Sequence, residues 1–191
     1  MVRVSRGLSV LLVSMWGSEG LSVDKSMRQP TFFMAFDYDY TGNIALLDLP
    51  KVAFFASREV SPEQRRSALR WAEQTIRTGD AVISGFHSPL EAEILERLLA
   101  ARHPVIWAHA RTLHRRYPPH VEQALAEGRI LIFAARNIPR AGLRAAQARN
   151  CIVASMAARS LFVINASAGR HSSLAVIYDM ERMSGRATLL Q

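Results

Sequence analysis

Five short runs with uninterrupted apolar stretches, polar only at or near their ends, narrow the possible folds of this chain sharply. They are VAFFAS at 52–57, AVIS at 81–84, PVIWAHA at 104–110, RILIFAA at 129–135 and SLFVIN at 160–165. A strand with one face in water alternates apolar and polar residues, so strands apolar throughout belong to a parallel sheet covered on both faces. Parallel neighbours need a crossover, usually a helix, and the intervening segments read that way. Ser61-Pro62-Glu63-Gln64 combines an N-cap hydroxyl, a proline at the first helical position and a capping-box glutamine. Ala68, Leu69, Ala72 and Ile76 then share one face until Gly79 ends the helix. Ser88-Pro89-Leu90-Glu91 repeats the start signal and opens a helix over 89–102 that buries Leu90, Ile94, Leu95, Leu98 and Leu99. Further helices are expected over 119–127, 140–158 and 170–183, with a last strand over 186–190. The pattern predicts an α/β fold: a doubly wound, mostly parallel sheet with helices on both faces, Rossmann-like in type.

The 191 residues amount to about one domain, and 49% of them are apolar, enough for a core that needs no staple. Cys151 has no second cysteine to pair with, and no Cys/His pair stands at zinc-binding spacing, so neither metal nor cofactor is expected. The division expected is an unassigned, poorly ordered segment over 1–40 and an α/β domain over 41–191. Arg3 and Arg6 precede the apolar run GLSVLLVSMW, the first two parts of an export signal. That run is too short to cross a bilayer, and GSEGLSVDK after it offers no A-x-A-like cleavage site. No transmembrane segment is expected, and a cytoplasmic location follows. TFFMAFDYDY at 31–40 suits either a strand or a partner-binding arm.

The net charge is +8, and 22 of the 24 basic residues are arginine. Residues 1–50 hold four basic and five acidic residues, whereas 51–191 hold 20 and 11, so the α/β part carries the whole excess. An anionic partner is one reading of it; a coding bias toward arginine is the other, and placement must decide. Ligands of open α/β sheets bind beyond the carboxyl ends of the strands. Those ends carry Ser57-Arg58, then Ser84, Gly85, His87 and Ser88 in SGFHSPLE, then His109 to Arg111, then Ala135-Arg136, and finally NASAGRHSS with Ser167, Gly169, Arg170 and Ser172. Hydroxyls and glycines before a helix suit an anion, although helix capping alone accounts for each loop taken singly.

The order of these motifs resembles the Rossmann-like domain of the DNA-processing protein A family (DprA, also called Smf) in the SLOG superfamily. The resemblance rests on Gly42-Asn43-Ile44-Ala45-Leu46 at the family's lead-in and on Val52-Ala53-Phe54-Phe55-Ala56-Ser57-Arg58 at its V-A-I-V-G-S-R strand. It rests also on Ile83-Ser84-Gly85 at its V-S-G and on Arg149-Asn150-Cys151-Ile152-Val153-Ala154 at its R-N-R-I-I-A helix, followed by the apolar LFVIN. It covers about residues 41–190 and leaves out the family's accessory winged-helix and sterile-alpha-motif-like domains. Ala56 and Cys151 replace a glycine and an arginine of the family pattern, and SGFHSPLE replaces a glycine-rich loop. The P-G-G-x-G-T-x-x-E motif of the related phosphoribohydrolases is missing.

The resemblance implies single-stranded DNA binding linked to DNA uptake, transformation or recombination, and pairing into a homodimer. A SLOG-type domain that binds or processes a phosphorylated, nucleotide-derived ligand is the alternative. For either, the expected site is Ser57, Arg58, Ser84, Gly85, His87, Ser88, Arg149, Asn150, Ser167, Gly169, Arg170 and Ser172. Arginine binds phosphate bidentately and stacks on bases. Arg136, Arg140 and Arg144 recur every four residues, which on a helix makes a basic stripe or a plain solvated face. Arg115-Arg116-Tyr117 joins a basic pair to an aromatic platform, unless it is an ordinary surface loop. No catalytic constellation emerges. His87 and His109 read as lining residues rather than bases, Glu91 is accounted for by its capping box, and Cys151 reads as a packed small hydrophobe.

Overall fold

The structure is a computed structural model and describes residues 5–11, 35–136, 142–165 and 173–191. Among these, eight strands form one sheet: β1 (Ser5–Leu11), β2 (Ala35–Gly42), β3 (Lys51–Ala56), β4 (Ala81–Ser84), β5 (Val105–His109), β6 (Ile130–Ala135), β7 (Arg159–Val163) and β8 (Ala187–Leu189). Five helices connect them: α1 (Pro62–Thr78), α2 (Pro89–Ala100), α3 (Pro119–Ala126), α4 (Leu143–Met156) and α5 (Ser173–Met183). The strand order is β1-β2-β6-β5-β4-β3-β7-β8. Strands β3 to β8 are mutually parallel, and the pairs β1–β2 and β2–β6 are antiparallel. From β3 the chain steps outward through β4, β5 and β6, then returns past β3 to β7 and β8. That reversal is the doubly wound topology, and its switch point lies between β3 and β7.

The apolar strands are buried on both faces, as their composition requires. Residues 52–56 are at most 3% exposed, and successive side chains point to opposite faces. Val52, Phe54 and Ala56 pack with Ala68, Ala72, Leu90, Ile94 and Leu98 of α1 and α2. Ala53 and Phe55 pack with Ile152 and Val153 of α4 and Ile177 of α5 on the other face. Each fully buried phenylalanine or leucine contributes about 1.5–3 kcal/mol of transfer free energy. Trp71 is half-buried and stacks on Phe54 at a centroid distance of 5.0 Å.

Both capping boxes form as the sequence predicts, at Ser61/Gln64 and Ser88/Glu91, and Gly79 closes α1 in the left-handed region at φ 85°. Two expectations change. The sheet reaches back past residue 41, because β2 pairs with β6 and buries Tyr38 edge-on against Phe133; TFFMAFDYDY thus ends in a strand. Helix α4 starts at Leu143 rather than 140, since Gly142 is extended at φ −138°.

Candidate nucleic-acid interface

Because β3 to β8 are parallel, the segments after β3, β4, β5 and β6 all emerge at one edge. The first shell of this edge is interior. Glu91, 5% exposed, does more than cap α2. Its Oε1 accepts the backbone N–H of Ala56 at 3.0 Å, and its Oε2 accepts those of His87 at 2.7 Å and Ser88 at 3.2 Å. One carboxylate therefore gathers N–H groups from the end of β3 and from the loop after β4. The expected hydroxyls also serve the protein. Ser57 Oγ accepts Asn165 N–H, Ser84 Oγ accepts Phe86 N–H, and Ser88 Oγ accepts Glu91 N–H. All three serines are buried, as is Asn150.

Arg149 lies beneath this layer, 9% exposed, with Nη1 donating to the Ala108 carbonyl at 3.2 Å. Gly85 is what admits it. A Cβ at Gly85 would stand 1.5 Å from Arg149 Nη1 and 2.1 Å from its Cζ. Burial lowers the Arg149 pKa, and the charge of Glu91 offsets only part of that shift. His109, also buried, has its pKa pushed down to about 3 by desolvation first, then by His114, Arg111 and Arg149. Arg149 Nε and His109 Nε2 have no hydrogen-bond partner among the described residues. The cavity they border measures about 20 Å³, room for about one water and far too little for a nucleotide. A roomier cleft, about 380 Å³, lies between α1 and the β7–β8 side of the sheet, lined by Trp71, Arg70, Arg159 and Leu190 among others.

Outside this layer stands a rim of cations. Arg58 and His87 are exposed, with Arg58 Nη2 3.5 Å from His87 Nε2. Arg111, just past β5, is exposed and donates to His114 Nε2 at 2.7 Å. Arg115 and Arg116 are exposed in the same loop, and Arg144 is exposed in the first turn of α4. That helix opens without a side-chain cap or an acidic residue in its first turn, so its end N–H groups and Arg144 add to the positive field. None of Arg58, Arg111, Arg115, Arg116 or Arg144 has a carboxylate partner among the described residues. Nine other arginines do: Arg65, Arg66, Arg97, Arg102, Arg129, Arg136, Arg159, Arg182 and Arg186.

Of the residues expected at the site, Arg58 and His87 reach solvent, while Ser57, Ser84, Gly85, Ser88, Arg149 and Asn150 build the layer behind them. Ser167, Gly169, Arg170 and Ser172 lie outside the described residues, as does Arg140. Arg136 is not part of a helical stripe: it lies past the end of β6 and before α4, paired with Asp39 at 3.2 Å, whereas Arg144 stands in the first turn of α4. Tyr117 is no open platform. It is 6% exposed, stacked with His114, and its hydroxyl accepts the His114 N–H. Cys151 is exposed rather than packed. Arg111 belongs to the His109-to-Arg111 strand end that the sequence points to, and the structure adds it to the exposed rim.

A doubly wound sheet whose carboxyl edge bears unpaired arginines is the architecture of a nucleotide- or nucleic-acid-binding α/β protein. The family model of DNA recombination-mediator protein A matches residues 28–178. This chain belongs to that family. Two solved structures share its fold. DNA processing protein A of Streptococcus pneumoniae aligns with a TM-score of 0.64 at 20% identity, covering 80% of this chain and 54% of that one. DNA processing protein A of Helicobacter pylori, described for its single-stranded DNA binding mode, aligns with a TM-score of 0.62 at 16% identity, covering 98% of this chain and 91% of that one. This chain thus spans about half the length of the pneumococcal protein. No curated protein matches it.

Proposed function

We propose that the chain binds single-stranded DNA along the carboxyl-edge rim, in the service of DNA uptake, transformation or recombination. The observation that carries this is the sorting of the arginines. Among the described residues nine arginines on the remaining surfaces are held by carboxylates and two, Arg70 and Arg77 of α1, are not, whereas Arg58, Arg111, Arg115, Arg116 and Arg144 gather without a carboxylate partner at one edge. Adjacent strands are about 4.8 Å apart, so loops after successive strands offer guanidiniums along a line, which suits a chain of phosphates better than one compact anion. Family membership and the DNA-binding relative from H. pylori support the reading. Fluorescence anisotropy with a labelled single-stranded oligonucleotide tests it. If five phosphates are neutralised, log K should fall with log salt at a slope of about −3 to −4. No binding at low salt would overturn the proposal.

The nucleotide-ligand alternative gains nothing from the described residues, since the N–H groups that would cradle a phosphate are already taken by Glu91. The protein acts in the cytoplasm on this reading, and no described helix is long and apolar enough to cross a membrane. It pairs with a second copy through α5, where Val176, Met180 and Met183 stand exposed at helical spacing opposite the buried Ile177. Light scattering tests this: Met180→Asp should leave a monomer where the natural chain is a dimer.

A further inference from the structure

We propose that Glu91 is a built-in occupant of the sheet's phosphate cradle and sets the specificity of this edge, denying it to small phosphates and leaving only the outer rim to ligands. In a parallel α/β sheet, the free N–H groups at a strand's carboxyl end and at the next helix's start are where a phosphate settles. Here those groups come from Ala56, His87 and Ser88, and all three point at the carboxylate oxygens of Glu91 at 2.7–3.2 Å. The glutamate thus presents two anionic oxygens where a phosphate would present its own.

A second observation comes from the same loop. The buried guanidinium of Arg149 stands against Gly85, and the charge of Glu91 acts on it. Removing Glu91 leaves three N–H donors without their acceptor and takes away the carboxylate that acts on that cation, an arrangement an entering anion would relieve. The ordinary capping role of Glu91 explains the bond to Ser88 N–H. It does not explain the reach across to Ala56 on another strand.

The inference stands apart from the DNA reading, because its probe is inorganic phosphate. The thermal midpoint is measured for the natural chain and for Glu91→Ala, with and without about 10 mM phosphate at constant ionic strength. The natural chain should shift by less than about 1 °C, and Glu91→Ala should gain about 3 °C or more, by mass action on the folded state. The gain should persist when Arg58 and Arg111 are also changed to alanine, which separates the cradle from the rim. Glu91→Ser, which keeps the cradle open with a small polar residue, serves if the alanine variant does not fold. Equal responses in the natural chain and the variants would overturn the proposal. So would failure of both variants to fold in phosphate buffer, since the anion is meant to replace the carboxylate.

Discussion

At Gly85 the need is for space. Its missing Cβ is where Arg149 Nη1 lies, 1.5 Å from the ideal position. Gly85→Ala must push the guanidinium off the Ala108 carbonyl while it remains among buried groups. The expected cost is about 2–3 kcal/mol, read from the urea midpoint. His109 makes a second prediction. Its folded pKa of about 3 lies below the ordinary 6.5, so between these values the unfolded chain binds more protons than the folded one. The stability His109 contributes is therefore complete above pH 6.5 and is lost as pH falls toward 3. The loss runs at up to about 1.4 kcal/mol per pH unit. His109→Gln, which cannot titrate, should flatten that part of the stability profile; an unchanged slope would show that other groups dominate. Burial also lowers the His103 pKa and adds to the same trend.

The helices with strong local start signals begin where their sequences predict, because a capping box is a contact among four consecutive residues and needs no distant partner. Ser61→Ala breaks one half of such a box, in which Ser61 Oγ accepts Gln64 N–H and Gln64 Oε1 accepts Ser61 N–H. It should cost about 1 kcal/mol by chemical denaturation. Helix α4 lacks a side-chain cap, and the sequence pattern sets its start three residues too early. That error created the basic stripe, since arginines at 136, 140 and 144 share a face only if one helix carries them all. Cys151 was misplaced because its side of α4 is decided by what packs on the helix. Buried Ile152 and Val153 face the sheet and leave Cys151 outward.

Among the described residues the arginines of the carboxyl edge and those held beside carboxylates predict opposite responses, with Arg70 and Arg77 of α1 outside both sets. Replacing Arg111, Arg115 and Arg116 together by alanine should lower single-stranded DNA affinity about tenfold or more and flatten the salt slope by about 2 units. Replacing Arg65, Arg102 and Arg182, each already held beside a carboxylate, removes the same formal charge. That triple variant should bind within about twofold of the natural chain, because exposed ion pairs add little field at a distance. Equal losses from the two triples would mean that net charge alone drives binding, and the rim would lose its standing.

The α/β class, the parallel strands and the capped helix starts are written in local stretches of the chain, because apolar runs and capping boxes are patterns that any tertiary context must satisfy. The binding edge follows from them, since all carboxyl ends of a parallel sheet lie on one side. Which residues at that edge meet solvent depends instead on packing between distant segments. Ser57, Ser84, Ser88 and Arg149 had the right chemistry at the right chain positions, but Glu91, Ala108 and the loop backbones satisfy them from inside. Arg136 and Arg58 look alike in the sequence, and one meets Asp39 across the sheet while the other meets no carboxylate among the described residues. Pairing depends on which distant segment folds alongside, and that is information no local pattern carries.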